Sequence, residues 1–100
     1  MSSLAAIAQT GLQAAQLRMD VSAHNIANMN TPGFTPQRVR EQALAPLSGV
    51  SAQVVRADHP GVALEHEAVE QIAASAAYRA NVFVLRMAQA TTGTLLDILA

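Results

Sequence analysis

Asp20, Ser22 and His24 place the three side-chain types of a nucleophilic triad within five residues. On a helix Asp20 and His24 share a face one turn apart, but Ser22 points about 160° away from His24. A nucleophile has to reach its base, so the cluster reads as surface chemistry, with Asp20 and His24 as an ion pair. Glu65, His66, Glu67 and Glu70 form a second constellation. His66 and Glu70 stand one turn apart, a half-site that falls short of the four ligands of a closed zinc centre. Recruiting His59 would need the preceding turn to fold back, so a solvated, acidic first helical turn is expected. The sequence thus predicts no catalytic residue, no metal site and no cofactor.

The elements that carry these residues are set by an alanine-rich composition. The chain has 100 residues, 51% of them hydrophobic, with one Tyr, two Phe and no Trp. Alanine is the best helix former and a small knob, which suits long, closely packed helices. The six basic residues are arginines 18, 38, 40, 56, 79 and 86, dispersed and outnumbered by seven acids. Nucleic-acid binding draws on a concentrated positive face, and none is present. No apolar run of about 18 residues exists, nor a basic helix face suited to a membrane surface. The opening MSSLAAIAQTGL lacks a basic region followed by an apolar core, so no cleaved signal peptide is expected. There is no cysteine to suggest a redox compartment.

From Leu4 to Met29, apolar residues recur at helical spacing: Leu4, Ala8, Gly11/Leu12, Ala15, Met19, Ser22/Ala23 and Ile26. Ile7, Leu17 and Val21 widen the surface, and Gly11, costly in a helix, marks a close approach. A second pattern from Leu64 to Leu99 has Val69, Ile72, Ala76, Ala80, Phe83, Met87, Ala90/Thr91, Leu95 and Ile98 as its stripe. Ala77, Val84, Ala88 and Leu96 widen that one, and Gly93 is a weak point near its end. Met19, Met29 and Met87 read as seam or subunit contacts. Thr35 to Ala57 reads as extended, with Pro46-Leu-Ser-Gly49 as the turn of a β-hairpin. The expected fold is mainly α: two long antiparallel helices, a coiled-coil-like hairpin, joined by a small β-hairpin. It forms a single domain over 1–100, with a helix in 1–30, a turn plus β-hairpin insert in 31–61, and a helix in 62–100. Apolar surface beyond the shared seam implies a partner, self-association first.

The first helix ends in SAHNIANMNTPGFTPQ, residues 22–37. Asn25, Asn28 and Asn30 can satisfy carbonyls left open in the last turn, and Asn accepts the left-handed conformation. Thr31 precedes a proline, Pro32-Gly33 suits a type II turn, and Phe34 can fold back over the joint. Pro36 favours an edge position in the strand that follows.

The stretch GLQAAQLRMDVSAHNIANMNTPGFTPQRV resembles the N-terminal signature of the bacterial flagellar axial proteins, the rod, hook and hook-associated subunits, and is closest to a minimal rod protein. The matching positions are Ser22, Asn25, Ile26, Ala27, Asn28, Thr31, Gly33 and Phe34. ALEHEAVEQIAASAAYRANVFVLRMAQATTGTLLDI looks like that family's C-terminal helix, with Glu67, Val69, Ile72, Ala77, Tyr78, Ala80, Asn81, Leu85, Ala88, Thr94 and Leu95 in place. The two segments cover about two thirds of the chain. Two departures stand out. Only about 30 residues join the helical regions, fewer than in rod proteins. Ala63 stands where relatives commonly place a capping Asn or Asp, so the second helix start should be weaker, or capped from Asp58.

The resemblance implies a structural, non-enzymatic subunit of the flagellar basal-body rod or a rod-like assembly. It implies homo-oligomer contacts, packing against other flagellar axial proteins, and passage through the flagellar export apparatus without a cleaved signal. Asn25, Asn28, Thr31, Pro32, Gly33 and Phe34 would build the corner. Tyr78, Asn81 and Leu85 would meet the first helix or the next subunit. The alternative is a soluble helical-hairpin interaction module, an export or assembly regulator that mimics an axial subunit.

Overall fold

The computed structural model describes residues 3–99, with side chains described for 3–93 and 98. Helix α1 (Leu4–Ala27) leads through a corner to strands β1 (Gln37–Ala43) and β2 (Val50–Arg56), then to helix α2 (Leu64–Leu99). Ser3 caps α1: its backbone is extended and its Oγ accepts from the Ala6 amide at 3.1 Å. This satisfies one of the donors that a helix start leaves open. At about 1.5 Å per residue, α1 is roughly 36 Å long and α2 roughly 54 Å. The molecule is correspondingly a rod, 63 × 24 × 14 Å.

The helices are antiparallel and joined by side chains along their length. Ser22 Oγ donates to the Glu67 carbonyl at 3.1 Å, and Gln71 Nε2 donates to the Met19 carbonyl at 2.9 Å. Arg18 Nε donates to Glu70 Oε1 at 2.6 Å, which raises the Arg18 pKa against the lowering effect of its burial. Further along, Gly11 faces Asn81. A Cβ on Gly11 would lie 2.6 Å from Asn81 Cγ, so any side chain at position 11 requires the Asn81 amide to move. The buried apolar residues are Ala8, Ala14, Ala15 and Val21 of α1 and Ala74 of α2. Small residues let the backbones come close, and each adds little buried area.

The hairpin lies along α1. Its antiparallel register runs from Gln37↔Arg56 to Ala43↔Val50. The turn is closed by Leu44 N–H to Gly49 O at 2.9 Å and Ser48 N–H to Ala45 O at 3.0 Å, with Leu47 at φ 63°. Thr10 holds this end: its Oγ1 donates to the Ile7 carbonyl at 2.7 Å and accepts from the Val50 amide at 3.2 Å.

The stripe expected on α1 is the one that packs, apart from Leu4 and Ala23, which are exposed. On α2 the expectation is inverted. Val69, Ile72, Ala76, Ala80, Phe83 and Met87 lie in solvent. The face toward α1 carries Glu67, Ala74, Ala77, Tyr78, Asn81, Leu85 and Ala88, all buried or half-buried. The side chains of Leu95 and Leu96, expected on the apolar surface of α2, lie outside the described residues. Gly93 does not interrupt the helix. Among the described residues no hydrogen bond from Asp58 reaches the start of α2, and the first-turn amide of Glu67 bonds the Ala63 carbonyl at 3.1 Å.

Candidate functional site

The corner is built around two buried polar side chains, Asn25 and Glu67, each only 1% exposed. Asn25 Oδ1 accepts from the Gln37 amide at 2.9 Å, and its Nδ2 donates to the Gln37 carbonyl at 2.8 Å. One side chain thus makes with Gln37 the paired exchange that a neighbouring strand would make. The same Nδ2 donates to Glu67 Oε1 at 3.2 Å, and Arg38 Nη1 donates to Glu67 Oε2 at 3.1 Å and to the Gln37 carbonyl at 3.0 Å. Ser22 completes the clasp through the Glu67 carbonyl. A buried carboxylate is tolerable only when paired and hydrogen-bonded, and both its oxygens are satisfied. The clasp therefore fixes the end of α1, the first residues of β1 and the start of α2 in one arrangement.

Around it, the chain reverses through short local bonds. The Asn28 amide bonds the His24 and Asn25 carbonyls, and Asn28 Nδ2 reaches the His24 carbonyl at 3.0 Å. Thr31 N–H meets the Asn28 carbonyl at 2.9 Å, and Thr31 Oγ1 lies 3.3 Å from Asn28 Oδ1. Phe34 N–H bonds the Thr31 carbonyl at 3.2 Å across Pro32-Gly33, with Gly33 at φ 71°. That angle is open to glycine at little steric cost. The Phe34 ring stands edge-on to His24, centroids 5.6 Å apart. The Phe34 carbonyl accepts from Gly61 at 3.0 Å and the Pro36 carbonyl from Ala57 at 2.8 Å, so the hairpin returns to the corner it left. Ile26 is half-buried, while Ala27 and Pro32 are exposed.

Several expected roles change. Of the three asparagines, Asn28 caps carbonyls as expected, but Asn25 turns inward. Left-handed backbone at a non-glycine residue occurs only at Leu47 among the described residues, so neither Asn28 nor Asn30 adopts it. Asp20 accepts from Gln16 Nε2 at 2.9 Å and His24 packs on Phe34, rather than pairing with each other. The first turn of α2 is not uniformly solvated: Glu65 is exposed, Glu67 is buried in the clasp and Glu70 binds Arg18. Glu67 and Gln37 were missed as partners of Asn25, and Arg38 as a partner of Glu67. The sequence marks Glu67 only as a position matching the family's C-terminal helix, without a role, because Ala74, two turns along the same face, belongs to neither apolar pattern. Tyr78, Asn81 and Leu85 share that inner face, Asn81 with its Nδ2 bonded to the Ala77 carbonyl at 2.9 Å.

Residues 6–35, which are α1 from Ala6 onward and the corner through Thr35, match the family model for the flagella basal body rod protein. Through this segment, 30 of its 100 residues, the chain is similar to that family. The matched residues end where the clasp hands the chain to β1, so the rod-family segment includes Ser22 and Asn25 but not Arg38 or Glu67. No curated protein matches the chain significantly. What the geometry of this chain offers is a fixed corner and a long uncovered helix face. No helix among the described residues is long and apolar enough to cross a membrane.

Proposed function

We propose that the chain is a structural subunit of the flagellar basal-body rod or a rod-like axial assembly. It works by self-association and by packing against neighbouring axial subunits. The observation that carries this is the outward face of α2, where Val69, Ile72 and Phe83 are each more than 60% exposed, on a chain whose residues 6–35 match the rod-family model. Large aliphatic and aromatic side chains in a row at helical spacing are a partner surface. The corner sets the angle at which the two helices are presented, so Asn25, Asn28, Thr31, Gly33 and Phe34 act on assembly through geometry. Export proceeds through the flagellar apparatus.

The short middle favours a second reading, in which the chain is a soluble helical-hairpin module that mimics an axial subunit. Purified hook–basal-body complexes, measured by quantitative mass spectrometry, separate the two. Several copies per complex are expected of a building block. Absence from the complex, with the protein recovered soluble in the cytoplasm, refutes the structural reading in favour of the module.

A further inference from the structure

The two outer edges of the hairpin are treated differently. Asn25 meets both backbone groups of Gln37, so the odd-numbered residues of β1 turn their amides and carbonyls away from β2. The cross-strand bonds at the two ends, Ala57 N–H to the Pro36 carbonyl and Leu44 N–H to the Gly49 carbonyl, fit that alternation. On β2 the outward groups are therefore those of Val50, Ala52, Val54 and Arg56, and Thr10 takes the Val50 amide. Helix α1 thus crosses the hairpin obliquely, from the β2 edge at Val50 to the β1 edge at Gln37. It leaves the amides and carbonyls of Ala52, Val54 and Arg56 without a partner among the described residues. Val54, at the middle of this open edge, is 45% exposed. Sheet edges are commonly blunted by charge. β1 carries Arg38, Arg40 and Glu41, and Arg18 of α1 reaches Glu41 at 3.8 Å. From Val50 to Val55, β2 carries no charge at all.

We infer that β2 of one copy adds antiparallel to β2 of a second copy, centred on Val54, so that two hairpins form one four-stranded sheet. The register follows from which groups are free. Centred on Val54, the pairs are Ala52 with Arg56, Val54 with Val54 and Arg56 with Ala52, and each pair exchanges both hydrogen bonds. Centring on Gln53 or Ala52 would call on the Val50 amide, which Thr10 already holds. Centring on Val55 leaves Ala52 opposite Asp58, where the strand has ended. No charge meets its like across the new pair. Each Arg56 faces an alanine, and the two arginines stand about 14 Å apart along the strands, beyond the screening length of physiological salt. The same operation on β1, centred on its outward groups at Val39, Glu41 and Ala43, would set Glu41 directly opposite Glu41. A two-fold pairing closes on itself, and this one uses neither the outward face of α2 nor the assembly reading above. Three residue pairs make a contact far smaller than a standard interface, so it forms in concentrated protein and is absent from dilute solution.

The chain contains no cysteine, so an introduced one reports the contact without background. Residues directly opposite in a hydrogen-bonded pair have Cα atoms about 5.5 Å apart, within reach of a disulfide. In concentrated solution under mild oxidation, the full chain carrying Val54→Cys is therefore expected to form a disulfide-linked dimer, and adding Phe83→Glu should leave the yield unchanged. Ala52→Pro removes an amide that the hairpin itself does not use. Added to Val54→Cys, it should abolish the dimer with the circular dichroism unchanged. Gln53→Cys is also exposed but lies two residues out of step with its own copy, so it is the collision control and should stay monomeric. Equal cross-linking through residues 53 and 54 overturns the inference, as does a Val54→Cys dimer that survives Ala52→Pro. A mixture of Glu41→Cys and Val54→Cys that cross-links, while Val54→Cys alone does not, assigns the open edge to β1 of another copy and overturns it too. The absence of any cross-link refutes it outright. A chain found in purified basal bodies whose Val54→Cys variant does not dimerise would sink the pairing and leave the proposed function standing.

Discussion

Replacing Asn25 by Asp changes one atom type at the centre of the clasp and nothing in its shape. Asn25 Nδ2 supplies the Gln37 carbonyl at 2.8 Å and Glu67 Oε1 at 3.2 Å. In Asn25→Asp the donor becomes an acceptor, facing one carbonyl and one carboxylate in a site closed to water. The Gln37 carbonyl keeps Arg38 Nη1, so its lost bond costs about 1 kcal/mol, whereas Glu67 Oε1 is left buried without a donor, at about 1–3 kcal/mol. Repulsion from Glu67 adds to this unless the new carboxyl takes up a proton. A loss of about 4 kcal/mol is therefore expected, against a total stability of roughly 5–10 kcal/mol for a domain this size. In urea unfolding followed by helical circular dichroism, that loss moves the midpoint down by about 2–3 M. Asn28→Asp is the control, since Asn28 Nδ2 also donates to a carbonyl, that of His24, at an exposed site; it should cost about 1 kcal/mol or less. Adding Glu67→Gln to Asn25→Asp restores a donor opposite the new carboxyl and should recover at least 1 kcal/mol as a coupling between the two sites. Equal costs at positions 25 and 28, or no coupling between 25 and 67, would refute the claim that the clasp organises the corner.

Other perturbations probe the backbone and the seam. Gly33→Val forces a β-branched residue to φ 71° where nothing lies within 4 Å of its Cβ, so its cost is pure backbone strain of about 1–3 kcal/mol; impaired motility is expected, and normal swimming would count against the turn. Leu47→Gly should do the reverse, relieving a left-handed leucine at an exposed tip by up to about 1 kcal/mol, read as a higher melting temperature. Ala15→Leu, at a position 2% exposed, overpacks the helix contact by about 1–3 kcal/mol, and an unchanged melting temperature would deny a tight seam there.

The order of elements was legible because each has a strong local signal: alanine-rich 3.6 periodicity in the helices, Pro-Gly at residue 32, and Pro-Leu-Ser-Gly at the hairpin tip. Gly11 announced the close approach that Asn81 occupies. The facing of α2 was not legible from apolar pattern alone. A hydrophobic stripe shows where water is unwelcome, and it is silent on whether the same chain or another covers it. Ala74, Ala77 and Ala88 face α1 because small side chains permit a short interaxial distance, while Ile72 and Phe83 would hold the helices apart. Asn25 and Glu67 were hard to read for a related reason. Each looks like a surface residue by type, and burial becomes tolerable only when Gln37, Arg38 and Ser22 arrive from elsewhere in the chain.

On the proposed assembly reading, this distribution makes the isolated chain dependent on its neighbours. Inside, α1 and α2 bury chiefly alanines, and an alanine gives far less than the 1.5–3 kcal/mol or so of a fully buried large aliphatic or aromatic side chain. The residues that would contribute most, Val69, Ile72, Phe83 and Met87, contribute only once another surface covers them. Apparent stability should therefore rise with protein concentration. For a dimer that unfolds to monomers, a tenfold increase adds about 1.4 kcal/mol per dimer by mass action. Phe83→Glu should remove that dependence. At the lowest concentrations, where the wild type is monomeric, it should leave stability within about 0.5 kcal/mol, because Phe83 is 64% exposed and surface substitutions are nearly neutral. Thermal unfolding of both proteins over a hundredfold concentration range measures the two effects together. If Phe83→Glu lowered the melting temperature equally at every concentration, Phe83 would be supporting its own fold, and the outward face of α2 would no longer stand as the surface that assembly covers.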